Sequence, residues 1–418
     1  MCNKIDINQS VKYLSQNGPL AKINPDFEER KSQLELVKNI TQCFNENQIG
    51  VFEAGTGVGK SYAYLIPALL WAKENNQRVV ISTGTINLQQ QLAEKDIIQA
   101  QKILETNEKF LLLKGRQNYV CLRRLKDLEE EKDLFFEEVE ELKIISEWVK
   151  NSETGSKSEL TFLPSEAVWQ RINSESDACM GNRCKFFEDC FVMKVRKAAN
   201  EAKILIVNHH LLFSDIQLRL STQKYDEAAV LPPYTRLIFD EAHGIEAAAT
   251  SFFSESLNKF SVQKQLNLLY RQRKSSATGL LFSVHALSDS TVEMNEIIGA
   301  LDQIKVNIQL LEDAGLEVLK NDFAWRLWAG SCFYANKLLD KFVKLNESIL
   351  EFSGLVRDVL KGLHEKDAEL PSVWETKQVL NRVEAFGLVC KNFITWEERP
   401  DSVFWIEKRK LSTGAMYL

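Results

Sequence analysis

The chain has 418 residues, of which 44% are apolar and 26% charged, and it carries a formal net charge of −6. That balance excludes a disordered polypeptide and a uniformly basic coat for nucleic acid, and it leaves room for two or three domains. No stretch reaches the roughly 18 apolar residues of a membrane span, and the opening MCNKIDINQSVKYLSQNG lacks a basic segment followed by an apolar core, so a cytoplasmic protein with no membrane partner is expected.

The first informative element in chain order is NPDFEERKSQLELV, residues 24–37, where Phe27 and Arg30 precede Gln33 at the head of an amphipathic helix. The Gln33 amide carries the donor and acceptor pair that matches adenine N6 and N7, although a glutamine taken alone also reads as an ordinary surface residue. Residues 49–61, IGVFEAGTGVGKS, predict a short apolar strand, a loop with three glycines and a helix that starts near Lys60. Strand, glycine loop and helix in that order form a phosphate cradle, because glycines let backbone N–H groups converge on an anion at a helix N-terminus. The cradle is Ala54, Gly55, Thr56, Gly57, Val58 and Gly59, with Ala54 standing where the common pattern has its first glycine. Lys60 is then placed to reach the β- and γ-phosphates of ATP, and the Ser61 hydroxyl to sit on Mg2+. Next, RVVISTGTINLQQQL, residues 78–92, reads as a buried strand, a polar turn and a helix with glutamines on its face.

The stretch LLLKGRQNYVCLRR follows, with Lys114, Arg116, Arg123 and Arg124 crowded around Cys121 and Tyr119 among them. Basic residues beside an aromatic suit a single-stranded nucleic acid, with phosphates on the cations and a base on the ring. The acidic run DLEEEKDLFFEEVEELKIISEWVK, residues 127–150, predicts a solvated helix. Beyond it, CMGNRCKFFEDC places Cys179, Cys184 and Cys190 within twelve residues, so the thiols run Cys121, 57 residues, Cys179, four residues, Cys184, five residues, Cys190. One distant and three close thiolates suffice for a four-iron cluster, and where disulfides are disfavoured clustered cysteines more often bind metal or do chemistry than remain unliganded or disulfide-prone thiols. Zinc is the alternative, although its structural sites usually pair cysteines two to four residues apart and no C-x-x-C occurs here.

ILIVNHHLLFSD, residues 204–215, reads as a buried strand followed by His209 and His210. In RLIFDEAHGIE, residues 236–246, an apolar strand ends in Asp240, Glu241, Ala242 and His243. Two acids at a strand end place Asp240 on the metal and Glu241 by the attacking water. From about 248 to 385 the apolar residues fall at helical spacing, as in Ile297, Leu301, Ile304, Ile308 and Leu311, and SVFWIEKRKLSTGAMYL then reads as a strand-like run.

Together FEERKSQ, EAGTGVGKS, ISTGTINLQQQL, LKGRQNYVC, the C-x4-C-x5-C triplet, ILIVNHHLLFSD, VLPPYTRLIFDEAH and SVFWIE resemble the DinG family of iron–sulfur DNA helicases, relatives of the XPD-type enzymes. The resemblance implies an α/β fold: a RecA-like P-loop motor domain with an inserted iron–sulfur domain and an inserted α-helical Arch domain. It assigns residues 1–105 and 201–247 to the motor, 106–200 to the iron–sulfur domain, 248–390 to the Arch and 391–418 to a return toward the motor. It implies ATP-driven 5′-to-3′ unwinding loaded from single-stranded DNA, in repair or replication, by a monomer acting on single-stranded and forked DNA, with a single-stranded-DNA-binding protein as a partner. Its cofactors would be ATP, Mg2+ and a 4Fe-4S cluster on Cys121, Cys179, Cys184 and Cys190. Its catalytic groups would be Lys60, Asp240, Glu241 and His243, with Gln33 on adenine. No second βα series and no Q-x-x-G-R-x-x-R follow the DEAH motif, so an N-terminal portion without the second RecA-like domain is expected. A nucleotide-gated binding protein that never unwinds, and a zinc-stapled nucleic-acid-binding module, are the other classes the residues allow.

Overall fold

The structure is a computed structural model that describes residues 2–24, 27–55, 57–130, 136–273, 276–328, 332–410 and 416–418. The chain divides into two compact units, one of residues 1–121, 152–161 and 185–254, the other of residues 122–151, 162–184 and 255–418.

The first unit is built on a four-stranded sheet. Its strands β1 (Val79–Thr83), β2 (Phe110–Leu112), β3 (Ile204–Asn208) and β4 (Arg236–Phe239) lie in the order β2-β3-β1-β4 and are parallel at every pairing. The runs VVIST and ILIVN are continuous rather than alternating because both faces are covered. Val79, Ile81, Ile204 and Ile206 point to the face packed by helix α1 (Lys31–Glu46) and helix α2 (Lys60–Asn75), through Val37, Leu65, Ile66 and Leu69. Val80, Leu205 and Val207 point the other way, against Ala199 of α4 (Phe191–Glu201) and Leu212 of α5 (His209–Thr222). A short helix α3 (Ile86–Gln91) follows β1, capped by the Thr85 hydroxyl, and α6 (Ile245–Phe253) follows β4. Helix α2 is buried around its whole circumference from Ala63 to Ala72, which explains a sequence nearly free of charge over those ten residues.

The strand expected before the glycine loop is not formed. Residues 48–54 have no ladder partner, and Ile49 and Val51 are 97% and 91% exposed. Apolar content alone does not make a strand, because its N–H and C=O groups need a neighbour, and β4 forms the edge of the described sheet on the side away from β3.

The second unit is mostly helical. Its long helices α7 (Met294–Leu319), α8 (Cys332–Lys361) and α9 (Pro371–Ile394) share one core, in which Ile297, Leu301, Ile304, Ile308 and Leu311 are at most 3% exposed. The spacing that predicted a helix seam there is thus the buried stripe of α7. The strand-like run near residue 405 is β6 (Trp405–Glu407), antiparallel to β5 (Ala324–Arg326). The acidic helix is Phe136–Asn151, and Lys143 and Lys150 pair with Glu140 and Glu147 one turn away on its solvated side. Among the described residues no helix is long and apolar enough to cross a membrane.

Candidate nucleotide site

The glycine loop lies at the carboxyl ends of the parallel strands, where open α/β sheets leave a crevice for ligands. Gly57 and Gly59 adopt φ of 80° and 85°, a region that side chains disfavour. A Cβ at Gly59 would also lie 2.3 Å from Gln33 Nε2, so the glutamine amide would have to move aside. Around Gly55 and Gly57 the opposite holds: an added Cβ would meet nothing within 4 Å, so the loop borders open space. Helix α2 starts at Lys60 with no side chain capping its first turn, which leaves backbone N–H groups and the positive end of the helix dipole facing that space. Thr56 lies outside the described residues.

Two side chains at the head of α1 hold the loop from behind. The Arg30 guanidinium donates to the Gly57 carbonyl, and Gln33 Nε2 donates to the Gly59 carbonyl at 3.0 Å. Gln33 is only 4% exposed, and its amide nitrogen fixes the turn from which Lys60 springs.

Strand β4 delivers the acids. The Asp240 N–H donates to the Ser82 carbonyl at 2.8 Å, prolonging the β1–β4 ladder by one residue. Glu241 then turns into the left-handed region at φ 54°, unusual for a residue with a side chain. Its Oε1 comes within 3.1 Å of Lys60 Nζ, and its Oε2 within 3.3 Å of His243 Nδ1. Tyr64 Oη donates to Asp240 Oδ2 at 3.3 Å. Burial, and then the adjacent Glu241 carboxylate, push the Asp240 carboxyl above the usual range. Two crowded carboxylates, with the Ser61 hydroxyl next to Lys60 in the chain, are the kind of oxygen donors a hard divalent cation relieves, so the residues fit Mg2+. The buried His209 bonds Ser82 Oγ through Nδ1 at 2.7 Å, which sets α5 against β1, and burial followed by His210 lowers its pKa.

The basic patch does not form as the sequence suggested. Arg123 and Arg124 are each 5% exposed, and their guanidiniums point into the second unit. Arg123 pairs with Asp127 at 2.7 Å and Glu375 at 2.9 Å, while Arg124 pairs with Glu375 at 2.9 Å and Glu175 at 3.4 Å and donates to the Asn173 carbonyl. Arg382 completes the network on Glu175 and Asp177. These two arginines therefore serve the packing of the helix Leu122–Glu129 against α9 and are not displayed to phosphates. In the first unit Tyr119 is 3% exposed and its hydroxyl accepts from the Lys114 N–H, so its ring is not offered to a base. Lys114 and Arg116 are half-buried, and Lys114 Nζ donates to Ser158 Oγ at 2.6 Å.

Cys121 and Cys190 belong to the first unit, Cys179 and Cys184 to the second. All four are unbridged and partly exposed, and Cys179 Sγ accepts the Gly181 N–H at 3.5 Å, as thiolate ligands often do. Their chemistry fits an iron–sulfur cluster, and no cysteine of the set is spent on a disulfide. Among the described residues no group of three or more His, Cys, Asp or Glu is placed to hold a metal ion.

A parallel sheet, a glycine loop opening into a helix and a strand ending in paired acids define a P-loop nucleotide-binding domain. Comparisons narrow the class. A family described as Type III restriction enzyme, res subunit, matches residues 26–162. The chain is 35% identical over 269 residues to the ATP-dependent DNA helicase YoaA of Haemophilus influenzae, covering 63% of this chain and 41% of that protein. It is 33% identical over 288 residues to YoaA of Escherichia coli (68% and 44%), and 30% identical over 282 residues to the ATP-dependent helicase DinG of Mycobacterium tuberculosis (63% and 41%). The chain thus spans less than half the length of these curated relatives, and the resemblance to DinG-type helicases read from its motifs is shown.

Proposed function

We propose that the chain is the ATP-binding part of a DNA helicase motor that couples hydrolysis to movement along single-stranded DNA. The observation that carries this reading is the approach of Lys60 to Glu241: groups 181 residues apart in the chain meet at 3.1 Å beside an open glycine loop. In the absence of phosphate, Glu241 is the counter-charge of Lys60, and an arriving triphosphate replaces it. Lys60 then neutralises the β- and γ-phosphates, the loop N–H groups from Gly55 to Ser61 bind their oxygens, and Glu241 is freed to orient and deprotonate the attacking water. His243, beside Glu241, holds that carboxylate's second oxygen. Ser61 and Asp240 would hold Mg2+, which when bound neutralises charge on the phosphates.

The finer features follow the same resemblance. Cys121, Cys179, Cys184 and Cys190 would hold a 4Fe-4S cluster, with zinc as the alternative, and the bound group would staple a segment with little core of its own. The helical region would be the Arch, the motor would move 5′ to 3′ on forked DNA in repair or replication, and a single-stranded-DNA-binding protein would assist it. What supports this is the names of the relatives and the donor chemistry of the four thiols.

Lys60→Ala should weaken binding of fluorescent ATP by about 10-fold or more and abolish hydrolysis, since the lysine serves the transferring phosphoryl group. Hydrolysis at the native rate by that variant would overturn the assignment. Anaerobically purified protein should be brown with stoichiometric iron and sulfide, and colourless protein with bound zinc would replace the cluster by the zinc staple.

A further inference from the structure

One buried hydroxyl reaches the carboxylate assigned to the divalent cation. Tyr64 lies one helical turn after Lys60 on α2 and is 5% exposed. Its hydroxyl donates to Asp240 Oδ2 at 3.3 Å. A phenol has one proton to give, and here it is given to the carboxylate. A phenylalanine would fill the same volume in this apolar helix, and the hydroxyl is the only part of the residue that the packing does not require. Asp240 is thereby held from two sides, its N–H on the Ser82 carbonyl and its Oδ2 on Tyr64.

We propose that Tyr64 is a positioning residue for the divalent cation: it fixes the rotamer of Asp240 so that the carboxylate's remaining lone pairs are aimed before the metal–nucleotide complex arrives. The proposal rests on the nucleotide-site reading. The cation need not reorganise its protein ligands, and the advantage is confined to the metal-dependent part of nucleotide affinity.

The test uses the whole chain and fluorescent ADP as the probe, titrated first in EDTA and then with Mg2+. For Tyr64→Phe we expect affinity in EDTA within about twofold of the native chain and a five- to tenfold rise, on the order of a lost oriented hydrogen bond, in the Mg2+ concentration that gives half of the tightening. Asp240→Asn should remove the Mg2+ effect, and adding Tyr64→Phe to it should change nothing further, because two residues acting through one contact are not additive. An unchanged Mg2+ midpoint in Tyr64→Phe, or full additivity with Asp240→Asn, would overturn the positioning role. Failure of the native chain to bind the probe, or binding by Lys60→Ala as tight as native, would overturn the nucleotide site itself and this inference with it.

Discussion

The glycine loop and the basic stretch around Cys121 carry equally suggestive sequences, and the structure treats them in opposite ways. At the loop, Lys60 and Glu241 meet beside open space, with Asp240 next to them on β4 and helix α1 bracing the turn from behind. Around Cys121, Arg123 and Arg124 turn inward onto Glu375 and Glu175, and Tyr119 is packed away. The difference lies in what each pattern specifies. A glycine loop followed by lysine and serine prescribes backbone conformation as well as side-chain type, and few folds use it for anything but an anion. A cluster of arginines prescribes only charge, which an internal carboxylate 252 residues away satisfies as well as a phosphate.

The comparison is most sharply broken by loss of nucleotide binding in Lys60→Ala, the largest effect expected, since nothing else in the loop supplies a positive charge at that point. Next in size is Glu375→Ala, which leaves two buried guanidiniums short of a carboxylate and should cost about 3–5 kcal/mol in urea unfolding of the helical unit. A loss below about 1 kcal/mol would mean that both arginines reach water and would restore them as candidates for phosphate contact. A smaller effect concerns His209, whose pKa burial lowers from 6.5. The unfolded state then binds more protons than the folded state as pH falls through 6.5, so the first unit loses stability from that pH downward and is unaffected above it. His209→Gln should flatten the slope of melting temperature against pH between about 7 and 5. The smallest expected effect is a null one. Arg123→Ala should leave the salt slope of single-stranded DNA binding unchanged, whereas a true phosphate contact would lower it by about 0.7.

Burial also separates two kinds of polar network in this chain. Asp240 sits where its charge is disfavoured, by burial and by Glu241, and that strain suits a group waiting for a cation. The carboxylates of Glu175, Glu375 and Asp177 sit where arginines hold them, and Arg382 is correspondingly held in its charged form by Asp177 and Glu175 despite its own burial. The first arrangement is incomplete without a ligand; the second is complete.

The core strands are legible in the sequence by itself, because VVIST, ILIVN and RLIF are apolar runs of strand length bounded by polar turns. The sequence also determined the loop and its lysine, the acids that end β4, and the seam of α7, since each is a local pattern whose spacing matches the period of its element. Only the tertiary structure decided that residues 49–53 would lack a ladder partner, that Gln33 and Arg30 would brace the loop, that Tyr64 would reach Asp240, and which way Arg123 and Arg124 would face. In each of these a deciding partner lies between 26 and 252 residues away or is a whole neighbouring strand, even though Arg123 also pairs with Asp127 one turn on. Local periodicity fixes which face of an element is apolar, but the identity of a polar group's partner is set by the packing that brings distant segments together.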